Sequence, residues 1–153
     1  NLSEADALNT LKNHPFLTNN KTIIFFSQDI IIATITYGVY RQNQSVGGIA
    51  RIAVLPEFRQ MELGSLLLAF AHNDLYNTGI RRMESLIKLK RTASLFMHFK
   101  NGYIPLHIQN RVVPLQRRNN MPIPFEKYCR LVNRKTYSVF LYYFLKEKIR
   151  NYQ

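Results

Sequence analysis

The order of elements predicts an α/β (α+β) fold, in which helices flank a mixed, mostly antiparallel sheet that contains one parallel pair. Two observations carry this. Early in the chain, β-rich runs are joined by tight turns, and from residue 48 onward extended and helical patterns alternate as strand, helix, strand, helix, strand. A strand that re-enters its sheet after a helical crossover runs parallel to its predecessor. At 153 residues the chain is expected to form one domain, 1–153, with a core that needs neither metal nor disulfide.

Each element has its own local cause. Ser3 to Asn13 reads as a short helix, capped by Ser3 and apolar at Ala7, Leu8 and Leu11. Thr22 to Ser27 is β-rich, Gln28-Asp29 reads as a tight turn, and Ile30 to Tyr40 resumes as strand. Gln42 to Ser45 is polar loop, and a further strand, about Gly48 to Leu55, stops at Pro56. Leu63, Leu66, Leu67, Phe70, Ala71 and Leu75 then recur at helical spacing, which predicts a helix from Leu63 to Asn77 ended by Gly79. Met83 to Leu89 reads as strand and Thr92 to Lys100 as a second helix, ended by Asn101-Gly102. Tyr103 to Leu115 is extended, Asn119 to Pro124 is loop, and Tyr137 to Leu145 is expected to be the last strand, with a helix the alternative.

Composition narrows the partners. Residues 1–80 hold five Lys/Arg against six Asp/Glu, a net of −1, whereas residues 81–153 hold sixteen against three, a net of +13. Such asymmetry favours an acidic partner, whether nucleic acid, an anionic cofactor or protein, or a membrane surface. A merely solubilising basic surface is the alternative. No apolar run is long enough to span a bilayer, and Asn1 to Asp6 lacks the pattern of a secretory signal. The one cysteine, Cys129, has no internal partner, which fits a cytoplasmic protein. His14, His72 and His107 make no metal-ligand spacing, so no metal is expected.

The informative junction is Ile52-Ala53-Val54-Leu55, then Pro56-Glu57-Phe58-Arg59, then a glycine-containing turn that opens the long helix. Backbone N–H groups at a helix start lack intrahelical acceptors and lie at the positive end of the helix dipole. A turn whose amides converge there suits phosphate, and Arg59 adds a charge beside it. Gly64 alone is weak evidence, since it could serve simply as a close-packing or left-handed residue. Ser65 is placed to cap the helix.

Resemblance to a known family strengthens the case. The run Val54-Leu55-Pro56-Glu57-Phe58-Arg59-Gln60-Met61-Glu62-Leu63-Gly64-Ser65-Leu66-Leu67-Leu68 resembles the acyl-CoA motif of GNAT acyltransferases, and Ser94-Leu95-Phe96-Met97-His98-Phe99-Lys100-Asn101-Gly102-Tyr103 resembles their second signature. The resemblance implies acetyl-CoA or another acyl-CoA as donor, direct transfer to an amine, and strands that splay apart around Ile52 to Leu55 and Leu86 to Leu89. It also implies a cofactor site formed by Ile52, Ala53, Val54, Arg59, Gln60, Met61, Glu62, Leu63, Gly64, Ser65 and Ser94, in which amides near Ala53 and Val54 polarise the thioester. Two departures stand out. Glu62 replaces the first glycine of the phosphate turn, so its carboxylate either repels pyrophosphate or points away. His98 stands where many members carry a tyrosine that protonates the leaving thiolate, so it is the candidate acid; a packed histidine is the alternative.

Other candidates stay open. Glu84 is the only acid on the strand beside the expected gap, and a surface role competes with catalysis. Lys88, Lys90, Arg91 and Lys100 flank the expected cleft and suit the adenosine 3′-phosphate or an acidic acceptor. Arg117, Arg118, Arg134 and Lys135, near Tyr128, Tyr137, Tyr142 and Tyr143, suit RNA. The acceptor is therefore an RNA or aminoacyl-tRNA amine, a protein or a small amine. The rival readings are an enzyme supplied by an acyl-carrier protein and a binding module that has lost catalysis. The oligomeric state is open, a homodimer included.

Overall fold

The computed structural model describes residues 14–122. They form β1 (Leu17–Ser27), β2 (Ile30–Tyr40), β3 (Asn43–Val54), a 3₁₀ turn (Pro56–Phe58), α1 (Leu63–Asn77), β4 (Arg82–Lys88), α2 (Thr92–Lys100), β5 (Ile104–Pro105) and β6 (Val112–Arg117). The strands make one six-stranded sheet in the order β1-β2-β3-β4-β6-β5. Only β3 and β4 are parallel. The expected helix Ser3 to Asn13, the expected strand Tyr137 to Leu145, and Cys129 lie outside the described residues.

Both helices fall at their expected bounds, because each is set locally by apolar spacing and a terminating glycine. At the end of α1, Gly79 takes φ +92° and its N–H bonds the Tyr76 carbonyl. The strands extend further than expected. β1 starts at Leu17, and its irregular stretch over Asn19-Asn20 is carried by a register shift against β2 between Thr18 and Lys21. β3 starts at Asn43, so the expected polar loop shrinks to Arg41-Gln42 and polar residues enter the ladder. The extended stretch 103–115 divides instead of running straight. Asn110 and Arg111 both adopt positive φ, closing a two-residue turn in which Gln109 and Val112 exchange backbone hydrogen bonds of 3.0 and 2.9 Å.

The core lies between the sheet and the helices. Leu63, Leu66, Leu67, Leu68, Ala71 and Leu75 of α1 are buried with Ile35, Tyr37 and Ile49 of the sheet and with Met83 of β4. Each fully buried leucine contributes about 2 kcal/mol of transfer free energy. Tyr37 fixes the height of α1 on the sheet by donating to Asp74 Oδ2 at 2.9 Å, and Lys21 Nζ reaches the same oxygen at 2.8 Å. Among the described residues no helix is long and apolar enough to cross a membrane.

Where α1 starts it touches α2, and Gly64 is the point of closest approach. A Cβ at Gly64 would overlap Met97 Sδ. Gly64 is therefore a packing glycine with helical backbone and not a left-handed one. Gly64→Ala is expected to destabilise the fold by less than about 1 kcal/mol, because half-buried Met97 can shift and alanine regains helix propensity. In a Met97→Ala background the same change should cost at least about 0.5 kcal/mol less, the lower end of couplings between touching residues. Urea denaturation of the four proteins of this cycle measures both, and purely additive effects would contradict the contact.

Candidate functional site

The site begins with a fault in the sheet. β3 and β4 pair over only four positions, Val46↔Arg82 to Ile49↔Ser85. Beyond them β3 stays on β2 as far as Val54↔Ala33, and β4 stays on β6 as far as Lys88↔Val112, so the two inner edges part. The cause is visible in the register. Thr36 pairs Arg51 but Tyr37 pairs Ile49, leaving Ala50 as an extra residue in β3. Such a bulge bends its strand.

The ladder also decides which amides line the gap. Leu55 N–H bonds the Ile32 carbonyl at 2.8 Å, toward β2. Alternation along an antiparallel pair then turns Ala53 and Arg51 toward β2, and Ile52 and Val54 toward the gap. Of the amides expected to face the thioester, Val54 lies on the gap edge and Ala53 does not; Ile52 takes its place. Arg59 Nε donates to the Val54 carbonyl at 3.3 Å, which holds the exposed guanidinium at this edge.

The 3₁₀ turn carries the chain to the start of α1. Gln60 (φ +61°) and Glu62 (φ +60°) are left-handed, and Met61 between them is not. Alternation in the sign of φ along successive residues is the backbone pattern of an anion-binding nest. Glu62 is the N-cap, and among the described residues no side chain caps the helix, so the first amides of α1 have no side-chain acceptor there. Ser65 is not the cap: it lies one turn inside, buried, and its Oγ accepts from Asn101 Nδ2 at 2.9 Å. The left-handed backbone costs a non-glycine residue about 1 kcal/mol, which explains why glycine suits position 62. The Glu62 carboxylate is turned to Lys100 Nζ at 2.6 Å, so the N-terminus of α1 is tied to the C-terminus of α2. That pair also removes Lys100 from the expected basic cluster.

His98 is fully buried. Its Nδ1 lies 2.7 Å from the carbonyl oxygen of half-buried Ser94, which can only accept, so Nδ1 carries the proton. Nε2 is buried without a partner among the described residues. Burial lowers the His98 pKa, with the Ser94 bond opposing in part. At neutral pH the imidazole thus offers a lone pair at Nε2, and it would have to take up a proton before acting as an acid. Its ring packs edge-on against Tyr103 at 4.9 Å.

Tyr103 also links to α1, its hydroxyl lying 2.8 Å from His72 Nε2. The group continues through Asn120, which donates to the His72 and Ile80 carbonyls and accepts from Arg117 Nη1 at 2.6 Å. Arg117 Nε in turn donates to the Asn101 carbonyl. Sequence reading missed this buried network, whose members lie up to about fifty residues apart; the one signal was the polar residues amid apolar ones at His72 and Tyr103. Arg117 is thereby engaged within the fold, and Arg118 Nε donates to Gln116 Oε1. Glu84 is half-buried on the sheet face away from the helices, near Arg82 and bonded by Gln116 Nε2 at 3.2 Å. The tyrosines from 128 on, with Arg134 and Lys135, lie outside the described residues.

The model of the Acetyltransferase (GNAT) family matches residues 3–103. No curated protein matches the chain in sequence. Among solved structures, the chain is similar to the PaiA N-acetyltransferase of Thermoplasma acidophilum in complex with coenzyme A, with TM-score 0.63 and 15% identity over 76% of this chain and 71% of that one. It is also similar to a Bacillus subtilis acetyltransferase in complex with CoA, with TM-score 0.60 and 15% identity over 76% and 84%. A GNAT-family acetyltransferase of Streptococcus pneumoniae gives TM-score 0.58 and 19% identity over 75% of each chain. At these identities the likeness is one of fold.

The buried histidines make stability depend on pH. Burial lowers the pKa of both His72 and His98, and the Arg117 charge adds to the effect at His72. Below about 6.5, the value of a free histidine, the unfolded chain binds protons that the folded chain refuses, so folding stability falls as pH drops. The limiting slope is about 1.4 kcal/mol per pH unit for each histidine. Urea midpoints at pH 7 and pH 5 should show this loss, and His98→Gln should reduce it. An unchanged pH slope in the variant would mean that His98 binds its proton as readily folded as unfolded.

Proposed function

The chain belongs to the Acetyltransferase (GNAT) family, and from that premise we propose that it transfers an acetyl or longer acyl group from acyl-CoA directly to an amine. The observation that carries this reading is the alignment of two features. The β3–β4 gap opens after Ile49 and runs to the end of β3 at Val54, and the amide nest begins at Gln60, just before α1.

In this reading the nest at Gln60 to Ser65 holds the pyrophosphate, with the Arg59 guanidinium beside it. The pantetheine arm lies in the gap in place of the missing strand-to-strand hydrogen bonds. The Ile52 and Val54 N–H groups polarise the thioester carbonyl and stabilise the developing oxyanion. The amine nitrogen bonds to the carbonyl carbon, the carbon–sulfur bond breaks, and the amine proton is passed on as the thiolate leaves. Positioning supplies most of the acceleration. His98 is assigned to this proton traffic through Nε2, the nitrogen of its ring that has no partner among the described residues. The acceptor is an amine, and residues 1–153 act as one cytoplasmic domain.

A second reading keeps the fold and replaces the donor by an acylated carrier protein, favoured by the net charge of +13 over residues 81–153. Calorimetry separates the two. Acetyl-CoA is expected to bind with micromolar to millimolar affinity and, at a hundredfold excess over Kd, to stabilise the fold by about 2.7 kcal/mol. Absence of binding at millimolar acetyl-CoA would leave the carrier-protein reading.

Glu62→Gly is expected to tighten acetyl-CoA binding several-fold. It removes a carboxylate from the rim of the nest, releases Lys100, and puts the one residue without strain at φ +60°. The lost ion pair is half-exposed and contributes less than about 1 kcal/mol. Weaker binding in the glycine variant would show instead that the Glu62–Lys100 tie is what keeps the nest in shape.

A further inference from the structure

We propose that the pocket lined by Lys88, Leu89, Lys90, Asn110, Arg111 and Val112 seats the anionic group of a small amine acceptor, a carboxylate or a phosphate; this rests on the acyltransferase reading. The pocket holds about 470 Å³, within the range of small-ligand sites, roughly 300–1,000 Å³. Three cations and an amide line it together with exposed Leu89 and half-buried Val112, and no carboxylate lines it among the described residues.

Two tight turns bring these cations together. At the end of β4 the Arg91 N–H bonds the Lys88 carbonyl at 2.8 Å, which curls Lys88 to Arg91. Opposite lies the Asn110-Arg111 turn, both residues at positive φ. Leu89 N–H bonds the Arg111 carbonyl at 2.8 Å and locks one turn to the other. Lys88, Lys90 and Arg111 take part in none of the ion pairs among the described residues. Like charges gathered without a counter-ion repel one another, and an anion relieves that repulsion.

Place distinguishes this seat from the nest at α1. The pleat buries Met83 and Ser85 beneath the helices and leaves Leu86 and Lys88 exposed on the other face. β4 is itself one wall of the gap, so a group held at its end lies within about two strand spacings, roughly 10 Å, of the thioester position. An amine attached to the seated anion can span that distance. Cations confined to two facing turns suit a single anionic group better than the extended track a polynucleotide requires.

The test is amide NMR at low salt on the protein saturated with CoA, so that the nest is already filled. Inorganic phosphate and acetate are titrated in separate arms. Expected are saturable shifts at residues 88–90 and 110–112, with half-saturation in the millimolar range. The triple variant Lys88→Gln, Lys90→Gln, Arg111→Gln should weaken them at least tenfold, and Lys90→Gln alone should weaken them in part. Its CoA affinity by calorimetry should stay within twofold of wild type. A response to phosphate alone identifies a phosphorylated amine, and one to acetate alone a carboxylated amine. No saturable shift with either anion overturns the proposal. Loss of CoA affinity in the triple variant overturns it too, because the pocket would then serve the donor. Displacement of phosphate from these amides by tRNA would overturn the small-acceptor assignment. If the wild type binds no CoA, the acyltransferase reading fails first, and an anion response at these residues then stands apart from it.

Discussion

Backbone polar groups inside a sheet must be paired, and the parting of β3 from β4 leaves two facing rows of them unpaired by each other. The fold tolerates this because each strand keeps its outer neighbour, β2 for β3 and β6 for β4, so only the inner edges are open. The extra residue at Ala50 turns β3 away at the point where its pairing with β4 ends. The parallel pair itself requires the α1 crossover, which places the start of that helix next to the end of β3. Gap and nest are thus two consequences of one connection.

The helices are held so that this geometry persists. α1 and α2 meet at Gly64 and Met97, and the contact is flanked by Glu62–Lys100 on one side and Ser65–Asn101 on the other. Behind them buried His72, Tyr103 and Asn120, with half-buried Arg117, bind α1 to the end of β6 and the segment that follows it. A hydrogen-bonded network in low dielectric is directional in a way that apolar packing is not, and it specifies one arrangement of the elements. Met61 packs partly buried against the core between the two left-handed residues. This packing holds the nest to the body of the protein.

Charge is used differently in the two places where it gathers. At the nest a carboxylate and an ammonium neutralise each other and leave the backbone dipoles to face outward. At the end of β4, three cations share a pocket with no acid in its lining among the described residues. The exposed leucines nearby, Leu86 and Leu89, lie beside these cations on β4 and the residue after it, so apolar and cationic surfaces adjoin.

The sequence by itself determined what depends on neighbours along the chain. Helical apolar spacing and Gly79 placed α1, Asn101-Gly102 ended α2, and the run from Pro56 to Ser65 marked a turn whose amides lead into a helix. The gap between the strands around Ile52 and Leu86 was implied by resemblance, and its cause, the extra residue Ala50, shows only in the register. Tertiary structure alone decided everything that joins distant residues. The strand ladder chose Ile52 and Val54 over Ala53, because the hydrogen-bonding edge of a residue depends on its partner's register. Glu62 was legible as a misfit in the turn, but its ion partner lies 38 residues away. His98 was legible as a titratable group and its tautomer is set one turn back at Ser94, but its burial depends on Tyr103 and the core packing around it. Arg111 gave no local sign of joining Lys88 and Lys90, because only the pairing of β4 with β6 brings them together. Periodicity and turn chemistry are written one residue after another, whereas a site is written across the sheet.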